Sequence, residues 1–114
     1  MSRILVADND LGIGHAIDRH LRQEGYVISV VTMHGALSAI DRCCPDLIVV
    51  DLPLAKDGID LCRLIRARTR APIFVIAPKV PGVCDLLDRE VSVDDYLIKP
   101  LRPQELTNRV EALL

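Results

Sequence analysis

The chain has 114 residues, half of them hydrophobic and 26% charged, with a formal net charge of −2. This size and composition indicate one domain with a substantial core, and they exclude intrinsic disorder, collagen and coiled coil. The small net charge and the scarcity of aromatic residues (one Phe, two Tyr and no Trp) argue against a nucleic-acid-binding surface.

Two further features favour a cytoplasmic protein with no membrane contact. The longest apolar runs are far shorter than the ~20 residues of a membrane span, and no long apolar run follows Met1 as in a signal peptide. The four cysteines have no CxxC pair and no zinc-ligand spacing, so we expect them to be reduced and mostly buried. They are Cys43, Cys44, Cys62 and Cys84.

Short apolar runs alternate with helix-period segments along the whole chain. Runs typical of strands covered on both faces lie at residues 4–7, 27–31, 47–50, 73–76 and 96–98. Five helices are predicted between and after them, and Gly25 and Pro45 indicate the ends of the first two. Their predicted inner faces are Ile13, Ile17 and Leu21, then Ala36, Leu37, Ile40 and Cys44, then Leu61, Leu64 and Ile65, then Val83, Leu86 and Leu87, and finally Leu106, Val110 and Leu113.

Five β/α units predict a doubly wound α/β fold, a five-stranded parallel sheet with helices on both faces. Ligands of such folds bind at the carboxyl ends of the strands. Asp8 and Asp10 follow the first predicted strand, Asp51 closes the third and Lys99 follows the fifth. Carboxylates at this edge of the sheet suit Mg²⁺, and a lysine suits an anion bound beside the metal ion. These residues together therefore predict a site at which an aspartate carries a phosphoryl group. Asp10 fits better as the N-cap of the first helix.

Four stretches in order resemble the receiver domain of bacterial two-component response regulators. They read ILVADND at 4–10, PDLIVVDL at 45–52, DDYLIKP at 94–100 and ELTNRVEALL at 105–114. The last is similar to the final helix of the OmpR/PhoB-type subgroup. The resemblance covers essentially the whole chain and implies the flavodoxin-like (βα)5 receiver fold and a role in phosphorelay signal transduction rather than enzyme activity in the ordinary sense.

The resemblance also implies roles for single residues. Asp51 falls on the phosphoacceptor position, Lys99 on the position that pairs with the phosphoryl group, and Tyr96 on the aromatic switch position. The family usually has a cis bond between that lysine and the following proline, here Pro100. The implied Mg²⁺ ligands are Asp8, Asn9, Asp51 and the carbonyl of Pro53.

Three departures from the family pattern predict an atypical, partly degenerate site. Ala77 stands at a switch position where the family has Ser or Thr, so a hydroxyl donor is lost. Asn9 replaces the second acid of a pair, which predicts weak or absent Mg²⁺ binding. The loop after Asp51 has Ala55 in place of the family proline, and Gly58 comes one residue early.

Two hypotheses about function follow. In the first, a histidine kinase or another phosphodonor phosphorylates Asp51, and the domain dimerises in response. In the second, the domain is a phosphorylation-independent dimerisation or protein-binding module, and Lys99 only forms a structural ion pair with Asp51 or Asp8.

The resemblance to the OmpR/PhoB-type subgroup further implies a homodimer formed by the fourth helix, fifth strand and fifth helix. Asp94, Asp95 and Arg109 would pair there across a two-fold axis. We expect residues 1–114 to be the receiver domain of a transcriptional regulator. Its DNA-binding effector domain would lie beyond residue 114, so this domain itself would not bind nucleic acid.

Overall fold

Five short strands form one parallel sheet in the computed structural model, which describes residues 2–8, 11–51, 56–90 and 93–114. The sheet order is β2-β1-β3-β4-β5, so the first and third strands of the chain lie side by side. This confirms the predicted doubly wound parallel sheet. The strands are β1 (Arg3–Ala7), β2 (Val27–Val31), β3 (Leu47–Asp51), β4 (Ile73–Ala77) and β5 (Asp95–Ile98).

Helices connect the strands and cover both faces of the sheet. They are α1 (Leu11–Gln23), α2 (Ala36–Cys43), α3 (Lys56–Arg68), α4 (Val83–Glu90) and α5 (Pro103–Leu113), with a short 3₁₀ turn at Met33–Gly35. Among the residues described, no helix has both the length and the apolar content needed to cross a bilayer.

Strand alternation divides the core into two layers, because successive side chains of a strand point to opposite faces. On β3, Leu47 and Val49 pack with α1 and α5, whereas Ile48 and Val50 pack with α2, α3 and α4. All five residues of β3 are buried, as expected for the central strand of a sheet with helices on both sides. Asp51, which follows Val50, therefore lies on the side of the sheet that α1 and α5 cover.

The helix ends follow the local turn chemistry. Gly25 has a positive φ of 97° just after α1, which confirms it as the predicted stop. Cys44 adopts the left-handed conformation (φ 45°, ψ 61°) and caps α2. The prediction that Cys44 belongs to the inner face of this helix is wrong, because the chain has already left the helical path and the residue is exposed.

Two leucines predicted on inner helix faces point to solvent instead. Leu64 is 53% exposed and Leu86 is 40% exposed. Each precedes a buried residue, Ile65 or Leu87, and neighbouring residues on a helix differ by about 100° in direction. A narrow inner face therefore accepts only one of each pair.

The cysteines are less buried than expected. Only Cys62 is buried, Cys43 is half-buried, and Cys44 and Cys84 are exposed, all of them as free thiols. The prediction of mostly buried cysteines is therefore wrong, because three of the four lie near helix ends at the surface. Burial raises the pKa of the Cys62 thiol to about 11.

The two adjacent leucines of α4 give a matched test of the core. We expect Leu87→Ala to lower the free energy of unfolding by about 2–5 kcal/mol, because it opens a cavity at a fully buried position. Leu86→Ala should change it by less than ~1 kcal/mol, since this side chain is already partly solvated. Urea denaturation of both variants checks this, and equal losses would contradict the assigned helix orientation.

Cys62 should resist thiol reagents in the native protein. Its pKa is raised from 9.0 to about 11, so the unfolded chain ionises first and stability falls as the pH rises from 9 towards 11. At pH 8 we expect rapid labelling of Cys44 and Cys84 but labelling of Cys62 only after unfolding. Mass spectrometry of labelled peptides measures this, and early modification of Cys62 would be inconsistent with its burial.

Candidate functional site

The carboxyl edge of the sheet brings Asp51 and Lys99 into contact. Asp51 is the last residue of β3 and is 5% exposed, and its Oδ1 lies 2.9 Å from Nζ of Lys99. Lys99 follows β5, so its side chain crosses over β4 to reach β3. Its backbone N–H donates to the carbonyl of Ala77 at 2.9 Å, and the expected cis bond to Pro100 is present.

A second buried carboxylate lies at the end of the neighbouring strand. Asp8 follows β1, is 2% exposed, and donates its backbone N–H to the carbonyl of Val31. The register pairs Ala7 with Val50, which places Asp8 level with Asp51 on adjacent strands about 5 Å apart. Continued alternation directs both carboxylates to the α1 and α5 side of the sheet, the side of Leu97 and, two residues later, Lys99.

The two carboxylates are the kind of ligand set that Mg²⁺ uses. This ion takes one or two carboxylates and completes its octahedral shell with water and phosphate oxygens. In the described ranges no group of three or more His, Cys, Asp or Glu residues could form a protein-only metal cage. Asp8 and Asp51 are therefore a donor pair that suits Mg²⁺ with water and phosphate oxygens as its other ligands. Asn9, Asp10 and Pro53 lie outside the described residues.

The two predicted switch positions lie on the other face of the sheet. Ala77 ends β4, is fully buried, and belongs to the core layer that also contains Tyr96. Hydrogen bonding with Cys84 of α4, then desolvation, and then the charge of Asp88 raise the pKa of Tyr96. Sequence reasoning missed Cys84 and Asp88 as partners of Tyr96. Their i, i+4 spacing on α4 was the available signal.

Asp94, Asp95 and Arg109 make ion pairs within the chain. Nη1 of Arg109 lies 2.8 and 2.9 Å from the two carboxylate oxygens of Asp95, and this bonding raises the pKa of Arg109. Oδ2 of Asp94 accepts hydrogen bonds from the backbone N–H of Ile73 at 2.8 Å and from Arg66 at 3.1 Å. Pairing of these residues across a two-fold axis remains a prediction.

Known proteins share both the sequence and the fold. Residues 4–111 match the family described as response regulator receiver domain. The chain is 40% identical over 114 residues to the DNA-binding response regulator MtrA of Mycobacterium tuberculosis, covering 98% of this chain and 50% of that protein. It is 35% identical over 115 residues to the transcriptional regulatory protein BaeR of Escherichia coli, covering 98% and 48%.

A solved structure agrees with these relatives. The BeF3-activated N-terminal receiver domain of RstA from Klebsiella pneumoniae superposes with a TM-score of 0.87 at 27% identity, covering 98% of this chain and 97% of that one. The chain therefore belongs to the receiver domain family of two-component response regulators. Its relatives are of the OmpR/PhoB type, as the last helix predicted. The chain spans about half the length of the curated relatives it matches.

The ion pair between Asp51 and Lys99 should be measurable as a coupling free energy. Lys99→Met leaves the buried carboxylate of Asp51 without this cation, and we expect the free energy of unfolding to fall by about 1–3 kcal/mol. The loss should be smaller than for a fully buried pair because Lys99 is partly exposed. Asp51→Asn should remove most of the effect of Lys99→Met in the double variant. Urea denaturation of the two single variants and the double variant gives the double-mutant cycle, and Lys99→Met is compared with Lys79→Met, a control at an exposed lysine. Additive losses would show that the pair does not interact.

Proposed function

We propose that Asp51 is the phosphoacceptor of this receiver domain and that Lys99 binds the phosphoryl group. The observation that carries the proposal is the 2.9 Å contact between the two side chains at the carboxyl edge of the sheet. A nearly buried carboxylate with one cation beside it and a second carboxylate on the neighbouring strand supports phosphoryl transfer better than a purely structural role.

In this mechanism a carboxylate oxygen of Asp51 attacks the phosphorus of the donor. A new P–O bond forms, the bond between phosphorus and the donor breaks, and its electron pair leaves with the donor group. The ammonium of Lys99 exchanges its contact with Asp51 for one with a phosphoryl oxygen, because the negative charge of the acyl phosphate lies mainly there.

Asp8 and Asp51 are the described residues that would hold Mg²⁺. The bound ion would supply further neutralisation of the charge on the phosphoryl oxygens. Asn9 provides one charge fewer than the acid that the family has at this position, so we propose weaker Mg²⁺ binding than in the rest of the family. One charge at ~4 Å corresponds to about 4 kcal/mol at an effective dielectric near 20, before solvation is counted.

The proposed partners follow from the relatives. We propose that this protein acts in the cytoplasm and that a histidine kinase or a small phosphodonor supplies the phosphoryl group. We also propose that a DNA-binding effector region follows the receiver in the complete protein. Two copies would dimerise through α4, β5 and α5. Asp95 and Arg109, whose ion pair is partly exposed, could then exchange partners between copies.

Acetyl phosphate with Mg²⁺ tests the phosphoacceptor directly. We expect one phosphoryl adduct on the intact chain, lost in Asp51→Asn because its amide is not a nucleophile, and retained in the exposed control Asp85→Asn. Intact-mass spectrometry at neutral pH records the adduct. An adduct that persists in Asp51→Asn, or none in the unmodified chain, would contradict the assignment.

Ala77 favours the alternative function, a module that dimerises independently of phosphorylation. The buried methyl group of Ala77 has no donor that could bind a phosphoryl oxygen, and a hydrogen bond to a charged group contributes roughly 1.5–3 kcal/mol. Typical coupling between two sites is about 1–3 kcal/mol, so this one loss could abolish communication between Asp51 and Tyr96.

Restoring a hydroxyl at position 77 separates the two functions. We expect acetyl phosphate to strengthen dimerisation of Ala77→Thr by roughly tenfold more than that of Ala77→Val, which has the same size but no donor. Analytical ultracentrifugation before and after phosphorylation measures this. Equal responses of the two variants would show that the missing hydroxyl does not limit the switch.

A further inference from the structure

A small cavity lies at the edge of the sheet opposite to Asp51, where β1 and β2 begin. Its volume is about 260 Å³. Val27 supplies exposed apolar wall above the fully buried Leu5. Ser29 contributes a hydroxyl group and Cys43 a thiol, and Arg3 and Arg42 also line the cavity. At ~30 Å³ for each water, the space corresponds to about nine waters and hence to a small organic molecule of similar size.

The cavity results from a short helix and a short side chain. Alternation places Arg3 and Leu5 of β1, and Val27 and Ser29 of β2, on the face covered by α2. This helix has only eight residues and ends at Cys43, where the left-handed Cys44 turns the chain back towards β3. Ser29 is too small to fill the space that the helix leaves open.

The charges around the cavity are unbalanced. Neither Arg3 nor Arg42 forms an ion pair with any described residue, and Nη1 of Arg3 makes only a long 3.4 Å bond to the carbonyl of Cys43. Neither of the nearby acids pairs with the guanidinium group of Arg3 or Arg42. Asp46 accepts the backbone N–H of Arg3 at 2.8 Å, and Asp41 pairs with Arg68 at 3.0 Å.

We propose that this cavity binds a small organic anion, a carboxylate with a compact apolar body. The carboxylate would accept hydrogen bonds from Arg42 and Arg3, because guanidinium groups match its planar geometry. The hydroxyl of Ser29 offers one further hydrogen bond, and the exposed side chain of Val27 packs against the apolar body. A few polar groups that converge on an apolar wall are typical of ligand pockets. The site is separate from Asp51 and does not depend on its phosphorylation.

Titration of the isotope-labelled chain with benzoate tests the proposal, and backbone amide shifts in NMR spectra report the site. We expect saturable shifts at Val27, Ser29 and Arg42. Benzyl alcohol, which has the same ring without the charge, should bind at least about tenfold more weakly. Inorganic phosphate measures what charge contributes without the apolar body, and it should also bind more weakly than benzoate.

Two variants locate the binding. Arg42→Gln should raise the dissociation constant of benzoate at least about tenfold, whereas the exposed control Arg70→Gln should leave it unchanged. Ser29→Leu should abolish binding by filling the cavity. If Ser29→Leu does not fold, the affinity of Arg42→Gln for benzoate tests the proposal by itself. The proposal is overturned by the absence of saturable binding, by shifts centred on Asp51, or by equal affinities for benzoate and benzyl alcohol.

Discussion

The polarity of the parallel sheet is the constraint on which the rest of the structure depends. Because all five strands run in one direction, their carboxyl ends meet at one edge. The two-residue period then places Asp8 and Asp51 on one side of the sheet, with Lys99 reaching them across β4. Residues that are 43 and 48 positions apart in the chain thus form one site, without any local sequence motif joining them.

The electrostatics of that site explain why it suits a phosphoryl group. Two carboxylates on adjacent strands, whose backbones are about 5 Å apart, repel each other, and two like charges at ~5 Å correspond to roughly 3 kcal/mol at an effective dielectric near 20. The cation of Lys99 offsets part of this cost at Asp51. A phosphoryl group would add negative charge to the same place, and a divalent cation held by Asp8 and Asp51 would complement it.

Periodicity predicted much of this architecture, and its failures have identifiable causes. Runs such as 47–50 and the glycine after α1 carry local signals, so the positions of the strands and the end of that helix were predictable from the sequence. Leu64 and Leu86 were misplaced because each adjoins another apolar residue, and only packing against the sheet decides which one is buried. The ion pair of Arg66 with Asp94 joins residues 28 positions apart and leaves no sequence signal. The cavity beside Ser29 was missed for a similar reason, since it depends on where α2 stops covering β2.

The central claim is that Asp51 and Lys99 together hold a phosphoryl group, and ¹⁹F NMR with beryllium fluoride tests it most directly. This salt forms a complex with an aspartate carboxylate that mimics the acyl phosphate. With Mg²⁺ present, the account predicts bound fluorine resonances that disappear in Asp51→Asn and weaken in Lys99→Met. Only free fluoride and fluoroberyllate signals in the unmodified chain, or bound resonances that survive in Asp51→Asn, would contradict it.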